Sequence, residues 1–501
     1  MTTRFAESPD TAPDTTPGTA SDTTPGTDTD TTPGTASDTT PGTASDTAPD
    51  TAPDTAPGTD TDRRASLGAL AELDRLVGSY GMASRVQQLP NHPGEPRFAI
   101  FTASMGDLTA VAANIAESAA GSDIRGGMDG AGGGLDAERA ARLCVAESLE
   151  RYSSCVFDES ALRWATAEEL GDEALDLGTV PRCAPRELAH PRSIVTAPDP
   201  AGPMRWARGW SLTGNRPVWV PAVMVWMHIK AKSAAERFTS PISTGCAAHS
   251  DLAAALVGAI CEVVERDSIA LTWLQRIPWP RIELDEIPER LAPYAERHRA
   301  GHVRTLFFDA TTDLGIPTVY SIDLTPDNEV LGQLVMCNTD LDPVTSIGKI
   351  MRESASSRIA MQVPRPRPEN PDDFLNVFHG ASYMGAPERV GDFAFLLDGA
   401  ERRPLSGMPR LSTGTAEGDL RLLVDRLGAA GCDVVAVELT TDEARDVGFR
   451  VVRVIIPQLM PLSFVHTARY TAHPRLYEAP ARLGYPVHAE ADLNPLPQPF
   501  A

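Results

Sequence analysis

Two segments of the chain carry the same acidic pattern, Glu-x-x-Glu-Arg: Glu147, Glu150 and Arg151 in CVAESLERY, and Glu262, Glu265 and Arg266 in AICEVVERD. On a helix, residues three apart share a face, so each segment can turn two carboxylates towards one small object. Two such helices offer four carboxylates, a donor set suited to a hard cation such as Mg2+, which is usually shared with a nucleotide phosphate. The second copy sits in a run from Asp251 to Trp273 built almost wholly of Ala, Leu, Val, Ile and other apolar residues. A helix that is hydrophobic on most of its circumference is buried. Taking an ionised carboxylate out of water costs several kcal/mol, so its acids need protons, cationic side chains or a metal. Ala254, Ala255, Gly258 and Cys261 on the same stripe are small and leave room beside them. The first copy, taken alone, equally suits a solvated helix face, where such ion pairs contribute a few tenths of a kcal/mol.

The elements that must position these acids follow from hydrophobic periodicity. From about Ser66, ASLGALAELDRLVG reads as a helix and RFAIFTASM as a strand. GGMDGAGGG, residues 126–134, then leads into Leu135 and Asp136, which is placed to cap the helix bearing the first acidic pair. This glycine run matches neither a P-loop nor a dinucleotide fingerprint, and a mobile linker is the competing reading. WVPAVMVWMHI reads as a buried strand ending near His228, and PISTGCAAHS as a small-residue turn feeding the long apolar helix. Beyond it, RTLFFDAT, TVYSIDLT, DVVAVELT and VVRVIIPQL read as strands, while Pro343 to Met361 and GDLRLLVDRLGAAG read as helices. The fold class is mixed α/β (α+β), with no 20-to-50-residue repeat in the folded part.

Residues 1–62 repeat SDTTPGTA, PDTAPDTA and PGTDTD and hold almost nothing large and apolar to offset chain entropy, which predicts a disordered acidic tail. Eleven Asp, Glu7 and Arg4 give this stretch a net charge of −11 out of −24 for the whole chain. An acidic body argues against nucleic-acid and anionic-membrane binding. With no run of eighteen apolar residues and no signal-peptide core, a cytoplasmic protein is expected. Seven scattered cysteines without Cys-x-x-Cys indicate neither a disulfide framework nor a structural zinc site, and read as small core residues.

The segments GGGLDAERAARLCVAESLERY, STGCAAHSDLAAALVGAICEVVERDSIALTWLQ, GKIMRESASSRI and VVRVIIPQL, followed by NPLPQPFA, together resemble the YcaO family, specifically members that act as cyclodehydratases on ribosomal peptides. The resemblance runs from about Leu76 to the C-terminus. It divides the chain into the tail at 1–62, an N-terminal segment at 63–125 and a YcaO-like catalytic domain at 126–501, with an ATP site between helices. It implies ATP and Mg2+ as cofactors, with Glu147, Glu150, Glu262 and Glu265 holding the metal. It also implies Arg151, Arg266 and Arg358 beside the nucleotide, and Pro495, Pro497, Pro499 and Ala501 as the tail that brings the chain terminus to the catalytic centre. Implied partners are a precursor peptide, a separate leader-binding ThiF-like (ocin-type) protein, a flavin dehydrogenase acting downstream, and a second copy in a homodimer.

The expected activity is ATP-dependent conversion of Cys, Ser or Thr to thiazoline or oxazoline. A noncatalytic scaffold subunit, or an enzyme using external sulfide or an amine to form a thioamide or amidine, is the alternative. Relative to the family pattern, Gly133 replaces a Lys, Ala254 a Glu, Leu143 a Ser and Ser356 a Gln, so the acids carry more of the nucleotide assignment. His249 at the start of the apolar helix reads either as a ligand contact or as a cap.

Overall fold

The computed structural model describes residues 68–106 and 129–500; the tail at 1–62 falls outside the described residues, as do 63–67 and 107–125 of the 63–125 segment, residues 126–128, and Ala501. Three sheets make up the framework. The smallest is antiparallel, β1 (Arg85–Gln88), β2 (Ala99–Ser104) and β3 (Gly130–Gly134) in that order. A six-stranded sheet contains β4 (Arg163–Ala165), β5 (Met204–Ser211), β6 (Arg216–Pro221), β7 (Cys246–His249), β13 (Val435–Glu438) and β14 (Arg450–Ile455), ordered β4-β5-β13-β14-β7 with β6 on β5. A five-stranded sheet runs β11-β10-β9-β8-β12, from β8 (Arg281–Glu283), β9 (Arg304–Asp309), β10 (Thr318–Leu324), β11 (Gln333–Thr339) and β12 (Arg402–Pro404).

Each sheet ends on the strand that precedes a long helix: β3 before α1 (Ala137–Ser153), β7 before α2 (Leu252–Gln275), and β11 before α3 (Pro343–Met361). All three helices begin in the same way, with an aspartate whose carboxylate accepts a backbone N–H of the first turn. Asp136 accepts from Arg139, Asp251 from Ala254 and Asp342 from Val344. Such caps satisfy donors that a helix start leaves without partners. Helix α2 is buried along nearly its whole length, as its composition requires. The amphipathic α4 (Ala416–Ala429) covers part of it with Leu423 and Leu427. Arg475 of α5 (Arg475–Arg482) forms a buried ion pair with Asp267 of α2 at 2.7 Å.

Three expectations change. The glycine run is not a linker: residues 130–134 are β3, an ordered strand lying directly on α1. A Cβ on Gly130 would sit 2.1 Å from the Cys144 carbonyl oxygen and one on Gly132 2.2 Å from that of Ala140, so only glycine permits this strand-to-helix approach. The segment read as one strand to His228 stops as a strand at Pro221 and turns through a short 3-10 helix, with His228 at a φ of 54°. In PISTGCAAHS only the first part is a turn, because Cys246–His249 pairs antiparallel with β14. All seven cysteines are buried thiols, none of them in a disulfide. Among the described residues no helix is long and apolar enough to cross a membrane.

Candidate functional site

The four acids of the repeated pattern all lie within the protein, Glu147 and Glu150 each 2% exposed, Glu262 6% and Glu265 3%. The solvated-face reading of the first copy is thereby excluded. What stabilises them is the set of sheet edges just described. Glu147 accepts the Ala131 N–H of β3 at 2.6 Å, Glu262 the Gly245 N–H before β7 at 2.8 Å, and Glu265 the Thr339 N–H at the end of β11 at 3.1 Å. An edge strand presents amides that no neighbouring strand can take. Here three sheets each spend such an amide on a carboxylate, and so converge on one place.

The arginines of the pattern supply counter-charge from within the helices. Arg151 donates to Glu147 at 2.5 Å and Arg266 donates to Glu262 at 3.1 Å, both four residues along the helix, and the second guanidinium also lies 3.7 Å from Glu265. Glu150 differs from the others: its Oε2 is buried without a hydrogen-bond partner. Burial, with Cys246, Glu262 and Glu147 close by, pushes its carboxyl well above the usual carboxylate range, against the pull of Arg151. Burial likewise pushes Glu265 up to about 8, opposed by Arg266 and reinforced by Glu262 and Glu353. Glu150 thus responds to both Glu147 and Glu262, and Glu265 to Glu262, which makes the acids of α1 and α2 one electrostatic unit.

A fifth acid was missed in the sequence. Glu353 of α3 is in electrostatic contact with Glu265, its Oε2 is buried without a hydrogen-bond partner, and its Oε1 accepts from Arg352 at 2.9 Å. The signal for it was present: Glu147, Glu262 and Glu353 each stand eleven residues after the capping aspartate of their helix. Lys349, one turn earlier on α3 and also buried, lies 3.9 Å from Asp340. Arg352 brings a further cation, and its aliphatic stem covers the open side of Gly133.

Arg358 has partners of its own. It is fully buried, and its guanidinium is held by the Glu95 carboxylate at 2.5 and 2.8 Å, with Thr325 Oγ1 at 3.4 Å, while Nη1 has no hydrogen-bond partner. Its hydrogen-bond and ion-pair partners are Glu95 and Thr325 rather than any of the four acids. His249 accepts the Asp251 N–H through Nδ1 at 2.8 Å, a role in the turn before α2. Ala254 contributes its N–H to the Asp251 cap, and Ser356 and Leu143 are buried and part-buried on their helices.

The C-terminal segment does reach this region. Trp273 of α2 donates its indole N–H to the Leu496 carbonyl, and Asn494 N–H donates to the Leu274 carbonyl. Pro497 and Pro499 are buried and Pro495 is exposed. Phe500 bridges Val335 of β11, and its ring lies 4.9 Å from the Arg266 guanidinium. Ala501 lies outside the described residues.

Among the described residues no three His, Cys, Asp or Glu side chains already stand in metal-ligating array, since the acids are turned onto guanidinium and amide donors. The residues nevertheless fit a divalent cation: two buried carboxylate oxygens, on Glu150 and Glu353, lack any hydrogen-bond partner, and the acids raise one another's pKa. A hard cation with oxygen ligands removes both costs. Buried Lys349 and Arg352 on the third wall supply charge that an anionic partner of that cation needs.

Comparison with known proteins identifies the fold and the family. An uncharacterised protein of Methanothermobacter thermautotrophicus is 28% identical over 337 residues, covering 66% of this chain and 81% of the relative. A solved heterocyclase in complex with substrate and cofactor superimposes with a TM-score of 0.69 at 21% identity, over 86% of this chain and 57% of that one, so the chain spans little more than half of that protein's length. YcaO from Methanopyrus kandleri, solved with AMPPCP and Mg2+, superimposes with a TM-score of 0.55 at 18% identity, over 79% of this chain and 91% of that one. The family model described as YcaO cyclodehydratase, ATP- and Mg2+-binding, matches residues 131–460, a span that contains all five acids, and the chain belongs to the YcaO family.

Proposed function

We propose that the protein is an ATP-dependent cyclodehydratase that converts Cys, Ser or Thr residues of a ribosomal precursor peptide to thiazoline or oxazoline. The observation that carries this reading is the set of buried acids drawn from three helices, with the Glu150 Oε2 buried and without a hydrogen-bond partner. Glu147, Glu150, Glu262 and Glu265, with Glu353, would hold Mg2+, which when bound supplies positive charge to the phosphates of the nucleotide. Lys349 and Arg352 stand where further phosphate charge can be met.

In the reaction a substrate side chain adds to the preceding backbone carbonyl, and the resulting oxyanion takes the terminal phosphoryl group of ATP. Loss of that group as phosphate leaves the ring. No protein nucleophile is required, so the chain's work is positioning and charge neutralisation. The solved heterocyclase with bound substrate and an E. coli microcin synthetase complex with its pro-peptide support a peptide substrate and a partner protein.

Mass spectrometry of a candidate precursor, with ATP, Mg2+ and the separate leader-binding partner supplied, tests the reading. Loss of one water per ring with release of ADP and phosphate by the wild type, and no loss with Glu262→Ala, is the expected result. Equal processing by both removes the acids from the chemistry. Nucleotide binding without any water loss from the peptide favours a scaffold subunit, and a mass gain from added sulfide or amine favours external-nucleophile chemistry.

A further inference from the structure

The Arg266 guanidinium lies over an aromatic ring, and that ring belongs to the far end of the chain. Its guanidinium lies 3.1 Å from Glu262, 3.7 Å from Glu265 and 4.9 Å from the centre of the Phe500 ring. Phe500 is 2% exposed. The segment behind it is seated along the protein. Leu496 accepts from the Trp273 indole, a Cβ on Gly380 would fall 2.3 Å from the Gln498 carbonyl oxygen, and Phe500 itself lies parallel beside Val335. Gly380 thus has no side chain because the tail runs over it.

We propose that Phe500 is a positioning residue for the acid site: its ring holds the Arg266 guanidinium against Glu262 and Glu265, so that docking of the C-terminal segment and the cation-binding geometry of these two carboxylates are coupled. A cation over an aromatic face in a desolvated place is attracted by the ring quadrupole, and that attraction is lost when the ring becomes aliphatic. Without the ring the guanidinium gains freedom to leave the two acids, whose oxygens then no longer hold one arrangement. Coupling between sites is reciprocal, so the site's occupant also secures the tail. The inference rests on the reading of the acids as a Mg2+–nucleotide site.

The test uses the full chain with MgATP as probe and compares wild type, Phe500→Tyr and Phe500→Leu by binding titration. Hydrogen exchange at the Leu496, Gln498 and Phe500 amides, with and without MgATP, is followed in parallel. Tyr is expected to bind as wild type and Leu about 3- to 10-fold more weakly. MgATP is expected to slow exchange of the tail in wild type and less so in Phe500→Leu. Equal affinity of Leu and wild type, or equal weakening by Tyr and Leu, overturns the proposal. If wild type binds no MgATP the functional reading falls separately, and the coupling is then decided by nucleotide-free exchange in Arg266→Lys. Faster exchange of the three tail amides supports it, and unchanged exchange refutes it.

Discussion

Glu262 accepts its hydrogen bond from Gly245 at 2.8 Å, and Gly245 can occupy that place only because it lacks a side chain. Its φ is +82°, and an added Cβ would stand 2.2 Å from the Val454 carbonyl oxygen. The turn before β7, the partner strand β14 and the acid of α2 are thereby fixed together. Gly245→Ala is expected to destabilise the protein by about 1–3 kcal/mol through backbone strain and displacement of the strand. Thermal unfolding checks this, and an unchanged midpoint would show that the turn accommodates a side chain.

Removing the charge of an acid without changing its shape separates the acids by role. Glu262→Gln is expected to lower ATP turnover by about 10²–10³, the order found when one preorganised electrostatic group is lost. Glu353→Gln, on the wall missed in the sequence, is expected to weaken Mg2+ binding by about 10–100-fold. Isothermal titration of each variant with Mg2+ and ATP measures both, and wild-type affinity in Glu353→Gln would exclude α3 from the cation site.

The Glu265 carboxyl, pushed from 4.5 to about 8, gives the site a pH signature. Between those values the folded cation-free protein holds a proton that the unfolded chain has released. Its contribution is therefore fully present below the unfolded value and lost as pH rises through the folded one. Cation-free stability should fall between about pH 5 and pH 8, and Mg2+ affinity should rise over the same window with release of a proton. Calorimetry in two buffers of different ionisation enthalpy counts that proton; no proton release would assign the site a permanently ionised Glu265.

Arg358 and Glu95 form a buried pair with hydrogen bonds at 2.5 and 2.8 Å, and Gln362 donates to the same carboxylate at 2.8 Å. Arg358 beside it holds the Glu95 carboxyl below the usual range despite the opposing effect of burial. Glu95→Gln leaves a buried guanidinium without its counter-charge and is expected to cost about 3–5 kcal/mol of stability. Chemical denaturation measures the loss. A variant of unchanged stability would mean that Arg358 finds its counter-charge elsewhere.

Much of this protein was legible along the chain because local signals are self-contained. The helix expected at Pro343 to Met361 is α3 over those same residues, and the apolar run from Asp251 becomes α2 with Asp251 as its cap. Spacing of three put Glu147 with Glu150 and Glu262 with Glu265, and the family pattern was carried by residues that stand close in sequence. The failures were of contact. Gly130–Gly134 looked like a linker because what makes it a strand is β2 on one side and, on the other, the backbone of α1, so close that a Cβ on Gly130 would fall 2.1 Å from the Cys144 carbonyl oxygen. The strand foreseen up to His228 ended at Pro221 because partners, not composition, decide where pairing stops.

The sequence by itself determined that acids occur in helical pairs, that one pair lies in a helix too apolar for water, and that aspartates can start these helices. Only the tertiary structure decided that three sheet edges would turn free amides onto Glu147, Glu262 and Glu265, and that Glu353 would join them. It likewise set Arg358 against Glu95 and brought Phe500 to Arg266, 234 residues away along the chain. The physical reason is that periodicity records which face of an element is buried, whereas the partner that a buried charge meets is supplied by another element at a distance no local pattern encodes.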